Sequence, residues 1–81
     1  MLDKSGKVDC ITKDYAIEVD FAEKWAESVG QSLYYGLKTS KQPGILLIIE
    51  SDKDLKHLKK VELLAKKYNI KVWTIKPADL K

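Results

Sequence analysis

The sequence predicts one small α/β domain over residues 1–81, with a mixed β-sheet built in the order β-β-α-β-α-β. Three observations predict this class: two alternating stretches near the N-terminus, two stretches with helical spacing, and a short apolar run after each helix. With 81 residues, 44% of them hydrophobic, the chain has room for one core. Because so small a domain buries only about 60% of its unfolded surface, we expect a homo-oligomer, in the simplest case a dimer.

The first two predicted strands, residues 7–12 and 15–21, form an antiparallel hairpin around the turn Lys13-Asp14. A two-residue turn pairs Thr12 with Tyr15 and, three steps further out, Asp9 with Glu18, whereas an odd-length loop or a bulge would break this register. The second strand alternates between an apolar face and a polar one, formed respectively by Tyr15, Ile17, Val19 and Phe21 and by Ala16, Glu18 and Asp20. Cys10 belongs to the apolar side, so we expect a buried, inert thiol.

Helical spacing follows over residues 22–38, with Asp20 as the expected N-cap and Glu23 completing a capping box. The apolar stripe of this helix is Trp25, Val29, Leu33 and Leu37. Residues 39–44 are expected to form a loop, 45–49 a central strand, 53–68 a second helix and 71–75 a last strand parallel to the central one. Ser51 or Asp52 is expected to cap the second helix and Asn69 to end it. Its apolar stripe is Leu55, Leu58, Val61, Leu64 and Ala65.

Charge and cysteine content narrow the class of protein. All 15 basic residues are lysines, and the net charge of +3 permits nucleic-acid binding without requiring it. Since lysine contacts phosphate as a point charge, contacts with DNA should fall on the phosphate backbone and be largely independent of sequence. One cysteine excludes an internal disulfide, and the longest apolar run is far shorter than the roughly 20 residues of a membrane span. We therefore expect a cytoplasmic protein without membrane contact.

The expected pairing of Asp9 with Glu18 is the strongest chemical signal. Directly opposed residues have Cβ atoms about 4.5–5.5 Å apart, where two carboxylates repel each other unless a cation or a proton neutralises them. Two such carboxylates can bind Mg²⁺ together with water and substrate phosphate. The alternative is that these are ordinary exposed acidic residues of a hairpin, with Asp20 paired to Lys7.

A polar stripe on the first helix adds to this signal. At about 100° per residue, Lys24, Ser28, Gln31 and Tyr35 fall on one narrow strip. Lys24 could orient a water molecule near a metal, and Gln31 could hold a phosphate or a base edge. The alternatives are a surface pair of Lys24 with Glu27 and ordinary solvent exposure of Gln31.

These residues together resemble the PD-(D/E)XK nuclease superfamily. The likeness covers residues 8–50 and rests on Asp9, on Glu18-Val19-Asp20 in the next strand, and on the helical segment Gly30-Gln31-Ser32-Leu33-Tyr34-Tyr35. It is closest to the RecB-like and Holliday-junction-resolvase-like branches, including small bacterial and phage proteins grouped with them. The resemblance implies a restriction-endonuclease-like core in which Asp9 and Glu18 bind Mg²⁺ or Mn²⁺, a lysine assists the attacking water, and DNA is cut. Gln31 and Tyr35 match the Gln-x-x-x-Tyr pattern of RecB-like members.

Two departures from the family pattern keep alternatives open. Asp20 stands at the motif's lysine position, so Lys24 would supply that function from the helix, or the site is catalytically weak. The usual first helix is missing, which suggests a natural minimal form, a fragment, or half of a site that another chain completes.

The expected function is therefore a metal-dependent DNA endonuclease. Gln31, Tyr35, Lys38, Lys41 and lysines of the second helix would contact the substrate. The alternative is an inactive nuclease-fold module that binds nucleic acid or a protein partner. A third interpretation makes Tyr34, Tyr35 and Trp73 candidates for a homodimer interface. The alternative is simple core packing, which is the expectation for Trp25 and Trp73.

Overall fold

The computed structural model describes residues 9–80. Its elements are β1 (Cys10–Ile11), β2 (Tyr15–Phe21), α1 (Trp25–Thr39), β3 (Gln42–Ile48), α2 (Leu55–Tyr68) and β4 (Lys71–Ile75). A short 3₁₀ turn precedes each helix, at Ala22–Lys24 and Asp52–Asp54, and another follows β4 at Pro77–Leu80. The predicted element order is confirmed. The expected strand over 7–12 begins outside the described residues. The expected pairing of Lys7 with Asp20 also lies outside them.

The four strands form one mixed sheet in the order β1-β2-β3-β4. β1 is antiparallel to β2, whereas β2, β3 and β4 are mutually parallel. Both parallel connections advance in the same direction across the sheet, so right-handed crossovers carry α1 and α2 to the same face. The two helices contact each other there, and α1 lies over β2 and β3.

The hydrophobic core lies between this face of the sheet and the two helices. Its buried members are Ala22, Val29, Ile45, Leu47, Ile49, Val61, Ala65 and Ile70. Trp25, Leu33, Leu58 and Leu64 pack against them, as their helical spacing predicts. The last residue of the first apolar stripe differs, since Leu37 is 84% exposed near the end of α1. Leu55 is also exposed, at the start of α2.

The face of β2 that the helices cover is the polar one. Ala16 and Glu18 are buried, whereas Val19 and Phe21 on the apolar face are exposed. The expectation that Cys10 is buried is wrong, because Cys10 lies on the uncovered side and is exposed. Hydrophobic alternation identified the two faces correctly but did not indicate which of them receives the helices.

Element boundaries differ from the predictions in two places. No side chain caps the start of α1, and Asp20 is the penultimate residue of β2 rather than an N-cap. β3 begins at Gln42 and includes Pro43, which was expected in a loop. Pro43 is tolerated in β3 because the pairing of β3 with β4 begins only at Gly44. On the β4 side of Pro43 there is therefore no strand that would need its missing N–H.

The second helix also begins without a side-chain cap, so the expected capping by Ser51 or Asp52 is wrong. Asn69 ends it as predicted, in the left-handed conformation with φ of 58°. Within the described part of the chain, no helix has the length and apolar character needed to cross a membrane.

Candidate functional site

The hairpin register places Asp9 opposite Glu18. Cys10 pairs with Ile17 and Ile11 with Ala16, which confirms the predicted register and makes Asp9 and Glu18 the next facing positions. The turn has no glycine, but the Thr12 hydroxyl oxygen accepts the backbone N–H of Tyr15 at 2.9 Å and so closes it. Asp9 is tied to β2, since its Oδ2 accepts the Val19 N–H at 2.9 Å.

Glu18 is the most unusual residue of this region. Its side chain is 2% exposed, and its Oε2 is buried without a hydrogen-bond partner. Burial, and next the negative charge of Asp9, raise the pKa of Glu18 from 4.5 to about 7, with a smaller contribution from Asp20. A hydrogen bond from the Asp9 backbone acts in the opposite direction. Because Glu18 is buried, the alternative in which both carboxylates are ordinary surface groups is wrong for Glu18.

Asp20 lies two residues further along the same face of β2. Its Oδ1 accepts the Phe21 N–H at 3.0 Å, and its Oδ2 accepts the hydroxyl of Ser28 at 3.2 Å. Ser28 is a fully buried residue of α1, so it holds Asp20 from the helix side. The sequence placed Ser28 on the polar stripe but assigned it no role, although its position one turn after Lys24 is the signal that identifies it.

Asp20, Lys24 and Gln31 line one open cleft at the carboxyl end of β2. The cleft has a volume of about 560 Å³ and is completed by Val19, Phe21, Glu27 and Ile48. Ligands of open α/β sheets bind at this end of the strands. A phosphate group entering the cleft would meet the ammonium of Lys24, the amide of Gln31 and the exposed ring of Phe21. It would also face the carboxylates of Asp20 and Glu27, whose charge a bound cation would have to offset. Sequence reasoning missed Phe21, whose signal was its place at the end of an alternating strand.

The other predicted substrate contacts lie at the opposite end of α1. Tyr35 is buried, and its ring meets that of Tyr34 edge-on with centroids 5.0 Å apart. Lys38 lies over the Tyr34 ring, 5.7 Å from its centroid, and the Lys41 ammonium donates to the Lys13 carbonyl at 2.7 Å. At 1.5 Å per helical residue, Lys38 is about 20 Å from Lys24 along the axis. The structure therefore does not bring Lys38 and Lys41 to the cleft.

The carboxylates of Asp9 and Glu18 are the two groups of the candidate site that could bind a divalent cation. Residues 9–80 contain no group of three or more His, Cys, Asp and Glu side chains that could hold a metal together. Mg²⁺ commonly takes only one or two carboxylates and completes its shell with water and phosphate oxygens. The unpartnered Oε2 of Glu18 and the repulsion between Glu18 and Asp9 suit a hard cation, which would satisfy both.

Comparisons with known proteins yield no relative: neither the protein-family models, nor the curated proteins, nor the solved structures searched match this chain significantly.

Proposed function

We propose that this protein is a metal-dependent nuclease with a minimal PD-(D/E)XK-like core, which hydrolyses phosphodiester bonds of DNA. The observation that carries the proposal is the buried carboxylate of Glu18, facing Asp9 across the hairpin and carrying an oxygen without a partner. Burying a carboxylate oxygen without a hydrogen-bond partner lowers the stability of a fold, and functional sites commonly tolerate this loss. Asp9 and Glu18 would hold Mg²⁺ or Mn²⁺, which when bound activates water and stabilises charge on the phosphodiester.

The side chains of the cleft, whose lining includes Asp20 but neither Asp9 nor Glu18, would supply substrate binding and water orientation. Lys24 is exposed in the cleft, and its ammonium would attract a phosphate oxygen or orient the attacking water. Gln31 would donate its amide to a second phosphate oxygen or to a base edge. Asp20, held by Ser28 and the Phe21 N–H, keeps a fixed carboxylate near the cleft that can accept a hydrogen bond from water or Lys24.

Lysines on α2 extend the proposed contact with the DNA backbone. Lys56, Lys59, Lys60, Lys66 and Lys67 are all exposed on this helix. Because they are point charges without the planar fork of arginine, they would contact phosphates without reading bases. Binding should accordingly weaken steeply as the salt concentration rises.

A second candidate is a nucleic-acid-binding module of the same fold without catalysis. It is favoured by the engagement of Asp9 with the Val19 N–H and of Asp20 with Ser28 and the Phe21 N–H, since carboxylates bound in this way also serve structural roles. The two candidates differ in one observable, the cutting of DNA.

The test is a cleavage assay on supercoiled plasmid and on a branched DNA, with Mg²⁺ or Mn²⁺ and, separately, with EDTA. Asp9→Asn is the test variant because it keeps an oxygen for the Val19 N–H but removes the charge. Asp14→Asn, in the exposed turn of the same hairpin, is the matched control.

We expect metal-dependent cutting by the native protein and by Asp14→Asn, and its loss in Asp9→Asn. Intact DNA that still shifts on a native gel would replace the nuclease with the binding module. Intact DNA without a shift would contradict both candidates.

A further inference from the structure

One face of the sheet carries no helix and is apolar throughout its centre. This surface, here called the open sheet face, carries the side chains of Cys10, Tyr15, Ile17, Val19, Phe21, Leu46, Ile48, Trp73 and Ile75, with Gly44 and Lys71 on the same face of β3 and β4. Phe21 is 43% and Val19 37% exposed. A shallow hollow of about 370 Å³ lies at its middle, lined mainly by Ile17, Val19, Leu46 and Trp73.

An uncovered face is unusual for this kind of sheet. Parallel strands occur almost only in sheets that are covered on both faces, and β2, β3 and β4 are parallel. Large contiguous apolar patches on soluble domains mark sites of association. The open sheet face therefore has the character of a surface that another layer covers.

An aromatic pair lies across the open sheet face. Tyr15 and Trp73 meet edge-on, with ring centroids 5.2 Å apart. Gly44 leaves room for the Trp73 ring over β3, because a Cβ there would come within 2.9 Å of Trp73 Cζ3 and 3.2 Å of Ile17 Cγ1. An apolar sheet face of this kind can pack against a second sheet about 10 Å away.

We propose that the open sheet face is the interface through which two copies of this chain associate. Among the strand residues of this face that the structure describes, only Lys71 is charged, and it lies at the β4 edge, over the Trp73 ring. Two identical faces can therefore meet without burying like charges at the centre. Residues 1–8 offer only Met1, Leu2 and Val8 as apolar side chains, too few to form such a layer.

The available area limits the size of this interface. Seven residues at about 3.3 Å and four strands at about 4.8 Å give a flat area of at most about 440 Å² per copy. Two copies would bury at most about 900 Å² of this flat area before the relief of the side chains is added, below the roughly 1,200 Å² of stable specific interfaces and in the range of weak, transient ones. We therefore expect a reversible, concentration-dependent dimer rather than an obligate one. This inference does not rest on the proposed nuclease activity, although Val19 and Phe21 belong both to the open sheet face and to the cleft lining.

Sedimentation velocity of the full chain under reducing conditions, from about 10 μM to about 1 mM, tests the proposal. Val19→Lys puts a charge at the centre of the open sheet face and should weaken association about tenfold or more. Leu63→Lys makes a similar change on the exposed side of α2, where Leu63 is 73% exposed, and should leave association unchanged.

The single thiol supplies a measurement that needs no variant. Cys10 is exposed on the open sheet face, so its reaction with a maleimide should slow as the protein concentration rises. A monomer at every concentration, or association that Val19→Lys and Leu63→Lys weaken equally, would overturn the proposal. So would dimer formation with no protection of Cys10.

Discussion

Replacing Glu18 by glutamine tests the electrostatic account of the candidate site. Glu18 is 2% exposed and faces Asp9, and the pKa of its carboxyl group rises from 4.5 to about 7. The folded protein therefore holds a proton on Glu18 over a pH range in which the unfolded chain has released it. Glutamine keeps the size of the side chain and removes the charge.

The sign and size of the effect follow from this difference in pKa. Because the folded protein binds more protons than the unfolded chain between about pH 4.5 and 7, the free energy of unfolding falls as the pH rises through that window. At 1.36 kcal/mol per pH unit, the full loss above pH 7 is about 3 kcal/mol. Glu18→Gln should therefore match the native protein at low pH and be up to about 3 kcal/mol more stable at pH 8.

The assay is urea unfolding with EDTA present, at pH values from about 4.5 to 8, read by circular dichroism. Glu62→Gln, on an exposed position of α2, is the matched control and should follow the native curve. A second series at pH 8 adds Mg²⁺, which should stabilise the native protein by about 2.7 kcal/mol at a hundred times its dissociation constant. Glu18→Gln should lose most of that gain.

Two results would refute this reasoning. If Glu18→Gln lost stability at pH 8, the carboxylate would be satisfied in the folded protein rather than strained. If Mg²⁺ stabilised the native protein and Glu18→Gln equally, the cation would bind elsewhere. The first result concerns the burial of the charge and the second concerns the metal, so each part of the argument can fail separately.

Three further substitutions test the site and the sheet. Lys24→Ala should lower DNA cleavage about 100-fold with unchanged urea stability, because the side chain is exposed in the cleft; unchanged cleavage would remove its role. Ser28→Ala should cost about 1 kcal/mol in urea unfolding, because it removes the hydroxyl group whose Oγ lies 3.2 Å from both Asp20 Oδ2 and the Lys24 carbonyl oxygen; stability equal to the native value would contradict these contacts. Gly44→Ala should cost about 1–3 kcal/mol, because the new Cβ would lie 2.9 Å from Trp73; a Tm within about 1 °C of the native value would argue against that close approach.

The hairpin was the most predictable part of the candidate site. Its register follows from turn length and strand alternation, which are local properties, and pairing of Cys10 with Ile17 confirmed it. The end of α2 at Asn69 was also predictable from local sequence, because asparagine tolerates the left-handed conformation there. The start of α1 was less predictable, since Asp20 has local capping chemistry yet remains in β2 and binds Ser28 instead.

What the sequence by itself determined is the set of elements, the hairpin register and the two faces of β2. Only the tertiary structure decided which face is buried. Hydrophobicity favours burying the face of Ile17 and Val19, but two right-handed crossovers in the same direction place both helices over the face of Ala16 and Glu18. The burial of Glu18, the rise of its pKa and the open sheet face are all consequences of this choice, because chain connectivity rather than residue type selects the covered side.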